Sequence, residues 1–128
     1  MSYWYGLNED LIGQTLVDVS LDDEGEHLVI QLDGSRRVYV AEGDCCSRSW
    51  IEHLTVPPDI RGATITAVTQ SESVEGTKEQ KEQAEARNDY VDVLQVYHDV
   101  IVTDRGEVII EHRNDSNGYY GGTLRELP

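Results

Sequence analysis

The sequence predicts an α+β fold, mainly antiparallel β-sheet arranged as two hairpin units, with one or two short helices. Three observations carry this expectation. Short runs rich in Val, Ile and Leu alternate with Asp/Gly turns, the pattern of half-buried strands joined by hairpins. The turn chemistry repeats, since Asp33-Gly34-Ser35 falls over Asp104-Arg105-Gly106 when the chain is laid on itself, each followed by an apolar strand pattern. Finally, residues 71–90 are nearly free of large apolar residues, and 78–86 consist almost wholly of helix formers without an apolar stripe, so this tract reads as a polar insertion, a helical or flexible arm, in a single domain spanning 1–128.

In chain order, Trp4, Tyr5 and Leu7 form an aromatic arm, and Asn8-Glu9-Asp10 has the residues to cap a short turn running to Ile12. Leu16 to Leu21 reads as a strand, Asp22 to Gly25 turns it, and His27 to Leu32 returns. Asp33-Gly34 closes a hairpin onto Arg36 to Ala41, with Val38 and Val40 on one face and Tyr39 on the other. Gly43 to Ser47 breaks the pattern. Ser49 and Glu52 then have capping-box spacing, which predicts a short helix carrying Trp50, Ile51 and Leu54 up to Pro57-Pro58. Ile60 to Val68 enters another strand. Thr77 and Gln80 again have capping-box spacing, ahead of a helix over 78–86. Tyr90 to Thr103 is a long strand, Glu107 to Glu111 comes back, and Thr123 to Leu127 closes the sheet. The offset that lays Asp33 on Asp104 also lays Asp44 on Asp115, so each hairpin runs out into a special loop, and two such loops at one end of a sheet can share a pocket.

Composition narrows function. A net charge of −15 repels nucleic-acid polymers before contact, and leaves an acidic DNA mimic or protein-binding inhibitor as one hypothesis. Outside the 71–90 tract every cation is Arg: Arg36, Arg37, Arg48, Arg61, Arg105, Arg113 and Arg125. Arginine grips phosphate through a planar fork and stacks on rings, so few but exclusively Arg cations suggest a local pocket for a small phosphorylated ligand. Compositional bias is the plain alternative. The stretch from Glu111 to Gly122 gathers a guanidinium, carboxamides, two phenol rings and three glycines after a strand, the make-up of a ligand-approach loop or of a tight solvated turn.

Catalysis is not expected. The serines, cysteines and four histidines form no nucleophile elbow, zinc-protease helix or phosphate-binding loop. Cys45 and Cys46 are adjacent, unlike zinc-binding cysteines, which are normally separated by a short spacer, so no metal is expected. A metal-dependent phosphodiesterase built on His53, His112 or Asp44 is the less favoured alternative. No cofactor is implied. With no leader and no apolar run long enough to cross a membrane, the chain is expected in the cytoplasm of the cell that makes it.

Three blocks together resemble a family of small phage proteins, the Thoeris anti-defence sponges. They are Tyr5-Gly6-Leu7 with Leu11-Ile12-Gly13-Gln14-Thr15, Glu42 to Trp50 (EGDCCSRSW), and Arg113 to Gly122 (RNDSNGYYGG). The resemblance covers most of the chain apart from 71–90. It implies a phage protein that, in the cytoplasm of an infected bacterium, binds cyclic ADP-ribose isomers without cleaving them. It also implies a second site for cyclic oligonucleotides in some members, and assembly as dimers or hexamers. On the matching motif it places Arg113 on a pyrophosphate and Asn114 or Asn117 on ribose or base edges. Arg61, just after Pro57-Pro58, is the residue expected at a second phosphate site. Arg87, Asn88 and Tyr90 are the nearest candidates to close over a base, and Arg125 completes the set of candidate ligand residues.

Overall fold

The computed structural model describes residues 6–43, 47–70, 73–87, 93–116 and 122–128, with the side chain of Arg87 left out. After a 3-10 turn at Glu9–Leu11 come β1 (Thr15–Leu21), β2 (His27–Leu32), β3 (Ser35–Gly43), β4 (Arg48–Thr55), β5 (Ala63–Gln70), β6 (Val74–Glu75), α1 (Lys78–Arg87), β7 (Val93–Thr103), β8 (Gly106–Ser116) and β9 (Gly122–Glu126). The strands run β4-β8-β7-β5-β1-β2-β3-β9 across an antiparallel sheet, and β6 adds to β7. The architecture is therefore mainly antiparallel β, and the described residues hold one α-helix.

That strand order reads the same from either end when β1 is exchanged for β5, β2 for β7, β3 for β8 and β4 for β9. The registers agree with the exchange. Leu32 faces Ser35 across one hairpin and Thr103 faces Gly106 across the other, at the offset that the Asp33 and Asp104 turns share in sequence. A β-bulge interrupts β1 between Leu16 and Asp18, and another interrupts β5 between Ile65 and Ala67, so Leu16 answers to Ile65. By the same offset Thr15 and Thr64 are counterparts, and they pair with each other, so a pseudo-two-fold axis passes between them. The chain is thus two four-stranded units that trade their last strands: β4 pairs with β8 and β9 with β3.

The junction is held by main-chain bonds that obey the same symmetry. Gly13 N–H donates to Ile65 O at 2.7 Å and Gly62 N–H to Leu16 O at 2.8 Å. Both glycines turn through positive φ, 91° and 88°, a conformation that a Cβ disfavours. Leu11 and Ile60, just ahead of these glycines in each unit, are buried against the same core as Leu16, Leu28, Ile65 and Leu124, each contributing roughly 1.5–3 kcal/mol by leaving water.

Two expectations are corrected. Residues 49–54 are not helical; they lie in β4, where Ile51 is buried and pairs with His112. The capping box does not form because both of its side chains are engaged elsewhere: Ser49 Oγ accepts from Asn114 Nδ2 at 2.8 Å, and Glu52 Oε1 accepts from Trp50 Nε1 at 2.9 Å. The stretch expected as a loop from Glu111 is strand through Ser116, so Arg113 and Asn114 belong to β8. In α1 the second capping box does form: Gln80 N–H donates to Thr77 Oγ1 at 3.1 Å and Thr77 N–H to Gln80 Oε1 at 2.9 Å. This helix has no apolar stripe, and among its described side chains only Ala84 is buried, against Leu94 and Trp50.

Replacing either junction glycine by alanine is expected to cost about 1–2 kcal/mol, the left-handed penalty for an L side chain. Gly62→Ala should be the worse, because its Cβ would sit 3.4 Å from Arg105 Nη1 whereas one on Gly13 meets nothing within 4 Å. Urea denaturation of both variants checks this, and a neutral Gly13→Ala would contradict the junction geometry.

Tyr39 supplies a pH test of the core. Burial raises its phenol above the ordinary tyrosine value, so only the unfolded chain ionises readily once pH passes ~10. Stability is then full below that pH and falls above it. Tm should decline on raising pH beyond about 10, and Tyr39→Phe should make the decline shallower.

Candidate functional site

Strand β8 is flanked by β4 and β7 and is buried on both faces at its far end, where His112, Arg113, Asn114, Asp115 and Ser116 follow one another. Successive side chains point to opposite faces, so this polar run divides into two sets. Each buried polar group must find a partner or carry a penalty of about 1–3 kcal/mol.

On one face, Arg113 is 3% exposed. Its Nε donates to Glu111 Oε2 at 2.8 Å, its Nη2 lies 2.7 Å from the same oxygen, and its Nη1 lies 3.5 Å from Glu52 Oε1. That last contact is within electrostatic reach but makes no hydrogen bond, leaving Nη1 unpartnered among the described residues. Next along the face, Arg48 Nη2 donates to Asp115 Oδ2 at 2.9 Å. The strand neighbours of Arg113 are Trp50 and Val96.

On the other face, Asn114 Nδ2 donates to Ser47 Oγ at 3.1 Å and Ser49 Oγ at 2.8 Å, while its Oδ1 is buried without a partner among the described residues. Gly43 and Gly122 pair directly across β3 and β9 beside it. A Cβ on Gly43 would come within 2.9 Å of Asn114 Nδ2, and one on Gly122 within 3.2 Å of Asn114 Cβ, so both positions need glycine for close approach. The bases of the two loops that follow β3 and β8 therefore converge on one carboxamide.

Further along that face, His112 Nε2 lies 2.8 Å from Asp99 Oδ1, both residues fully buried, and Tyr97 stacks on the imidazole with centroids 4.8 Å apart. Gly122 N–H donates to Tyr97 Oη at 3.1 Å, linking this pair to the Asn114 cluster. Asp99 Oδ2 and His112 Nδ1 have no partner among the described residues. Asp99 stands at the wall of a cavity of about 570 Å³ that Gly6, Leu7, Glu9, Gln70, Arg125 and Glu126 also line.

The expected ligand residues scatter over this frame. Arg113 and Asn114 are adjacent but face opposite ways. Arg125 borders the cavity and pairs with Glu42. Arg61 is exposed beside Pro58, Asp59 and Arg105, and its carbonyl accepts from Arg105 Nη1 at 2.7 Å. Asn117, Asn88 and Tyr90, with Cys45 and Cys46, lie outside the described residues, as does the side chain of Arg87. Among the described residues no three of His, Cys, Asp and Glu group closely enough to hold a metal ion, and no helix is long and apolar enough to cross a membrane. Sequence reasoning read Ser49 as a helix cap and passed over Asp99 and Gln70; the only mark on the last two is that each is polar at a strand position whose counterpart is leucine.

Among comparisons with known proteins, one family matches, over residues 9–125, and its description is Domain of unknown function (DUF7448). No curated protein and no solved structure matches.

Removing the Arg113 guanidinium would take the arginine charge away from Glu111 and Glu52, both partly buried. Arg113→Ala is therefore expected to cost about 3 kcal/mol, the low end of the ~3–5 kcal/mol range for a broken buried pair, because both carboxylates keep some solvent. Arg113→Lys, which keeps the charge and loses the fork, should cost less. Thermal and urea denaturation decide it, and an Ala variant as stable as the parent would contradict the burial.

Proposed function

This chain belongs to the DUF7448 family, and we propose that it is a binding protein which captures a small cyclic nucleotide and releases it unchanged. The observation that carries the reading is the convergence of Gly43, Ser47, Ser49 and Gly122 on Asn114, whose carboxamide oxygen is buried and unpartnered among the described residues. An amino or hydroxyl donor from a base or ribose would complete that oxygen's hydrogen bonding, relieving the penalty of leaving it bare. The motif that begins at Arg113 and ends at Gly122 supports the same class through its resemblance to the Thoeris anti-defence sponges, with cyclic ADP-ribose isomers as the preferred ligands and cyclic oligonucleotides as the next.

Arg48, more than half exposed beside Asp115, and Arg113 are the described cations near this end of β8. Arg113 is compensated by two carboxylates, so its contribution to a phosphate would be orientation as much as charge. A sponge needs slow release rather than a tuned acid or base; capture at nanomolar concentrations corresponds to about −12 kcal/mol. We also propose, from the same resemblance, that it acts in the cytoplasm of an infected bacterium as a homo-oligomer, a dimer or hexamer.

The test is a thermal-shift and calorimetric screen of cyclic ADP-ribose, its glycosidic isomers and cyclic di- and trinucleotides. A true ligand at 100 times its Kd adds about 2.7 kcal/mol of stability, which moves Tm by several degrees in a chain of this size, and mass spectrometry after heat release should recover it intact. Asn114→Asp keeps the shape and can accept from both serine hydroxyls but sets a negative charge against phosphate; it should lower Tm, because the position is fully buried, and should weaken binding at least tenfold at a temperature where the variant is still folded. No shift with any ligand, a hydrolysed product, or undiminished binding by Asn114→Asp would refute the proposal.

A further inference from the structure

The pseudo-two-fold axis supplies an internal comparison for the cavity beside Asp99. In the second unit Gln70 pairs with Asp99; at the matching place in the first, Leu21 pairs with Leu28. Glu126 stands opposite Tyr39 on β9, and its counterpart Leu54 stands opposite Ile110 on β4, Tyr39 and Ile110 being counterparts at the hairpin offset. His112 corresponds to Ala41 in the same way. Leu21, Leu28, Leu54 and Ala41 all belong to or pack against the hydrophobic core. Half of the molecule thus shows that this scaffold accepts apolar residues at the very positions where the other half buries a carboxylate and an imidazole, sets a carboxamide beside them at the surface, and opens a cavity of about 570 Å³. Folding alone does not call for the polar set. A buried Asp–His pair is, if anything, less favourable than a well-packed apolar replacement.

We infer that this cavity is a binding site for a small organic cation carrying a primary ammonium group, with Asp99 as its anchor. Asp99 is fully buried, one oxygen is taken by His112, and the other is unpartnered among the described residues at the cavity wall. Gln70 Nε2 approaches Asp99 Oδ1 at 3.5 Å, holding the carboxylate from the cavity side. Glu9, Asp10 and Glu126 add carboxylates to the lining, against Arg125, the one cation of that lining among the described residues, which is itself paired with Glu42. Arg37 grips Glu126 and Asp10, so the lining carboxylates not held by Arg37 are Glu9 and Asp99, whose Oδ2 has no partner among the described residues. The volume lies in the range of small-ligand pockets and is far larger than a bare ion needs. Leu7 and Val68 give the aliphatic part of an alkylamine an apolar surface. The overall charge of −15 draws cations toward such a site. The inference is independent of nucleotide capture at Asn114 and stands or falls separately.

Calorimetry with putrescine and spermidine, at an ionic strength held constant with sodium chloride, tests it. The expected result is a saturable site of one amine per chain, superimposed on weak surface binding, and a rise in Tm. The double variant Asp99→Leu with His112→Ala reproduces the first unit's Leu28 and Ala41; it should be as stable as the parent or more so, and should weaken the saturable binding at least tenfold. Glu9→Gln, at an exposed position, gives a second reading without disturbing the core and should weaken it by a smaller factor. Absence of a saturable site for either amine, equal binding by the double variant, or equal saturation by magnesium chloride would overturn the inference.

Discussion

Two reciprocal main-chain hydrogen bonds, from Gly13 to Ile65 and from Gly62 to Leu16, join the halves of this molecule across the Thr15–Thr64 pair. They form only if each unit enters its first strand through a left-handed glycine, which brings β1 and β5 side by side with their bulges matched. With that junction set, the two hairpins extend away on either side. The remaining strand of each unit then finds its nearest open edge on the other unit. Strand exchange leaves β8 with a neighbour on each side, which is why its far end is enclosed and why polar residues there have to be paired or bound.

The duplication separates what the scaffold requires from what is added to it. Leu11 and Ile60, Val19 and Val68, and Ile51 and Leu124 occupy matching places and fill the same core. Gln70, Asp99, His112 and Glu126 break the match with polar groups. Likewise Asn114 is held by two serines next to two glycines that admit no side chain, an arrangement that leaves one of its own acceptors bare among the described residues. Polar atoms left bare inside a fold that can be closed with leucine are better explained by ligands than by stability.

Much of the sheet was legible in the sequence because strands and turns are set by local chemistry. Asp33-Gly34 and Asp104-Arg105-Gly106 turn where expected, and Thr77 with Gln80 caps α1 through the side-chain bonds its spacing implies. Residues 49–54 misled because the same local spacing was outcompeted: Ser49 serves Asn114, and Glu52 serves Trp50 and Arg113, so two of those three contacts come from strand β8, far away in sequence. The second echo, Asp10-Leu11-Ile12-Gly13 against Asp59-Ile60-Arg61-Gly62, is hidden because it runs at a shorter offset than the hairpin echo. The insertion after β5 lengthens the second unit between its first strand and its hairpin, so no single offset aligns both echoes. Asp99 was invisible for a different reason, since an acidic residue in an alternating strand ordinarily faces water and only the enclosure by its neighbours in the folded chain buries it.

Strand exchange about the junction is the claim on which the fold, both sites and the internal comparison rest. Cross-strand NOEs in the uniformly labelled protein test it most directly. The account predicts backbone contacts between Trp50 and Arg113, between Ala41 and Leu124, and between Thr15 and Thr64, as the ladders require. A continuous ladder between β3 and β4 of the same unit, with none between β4 and β8, would contradict it.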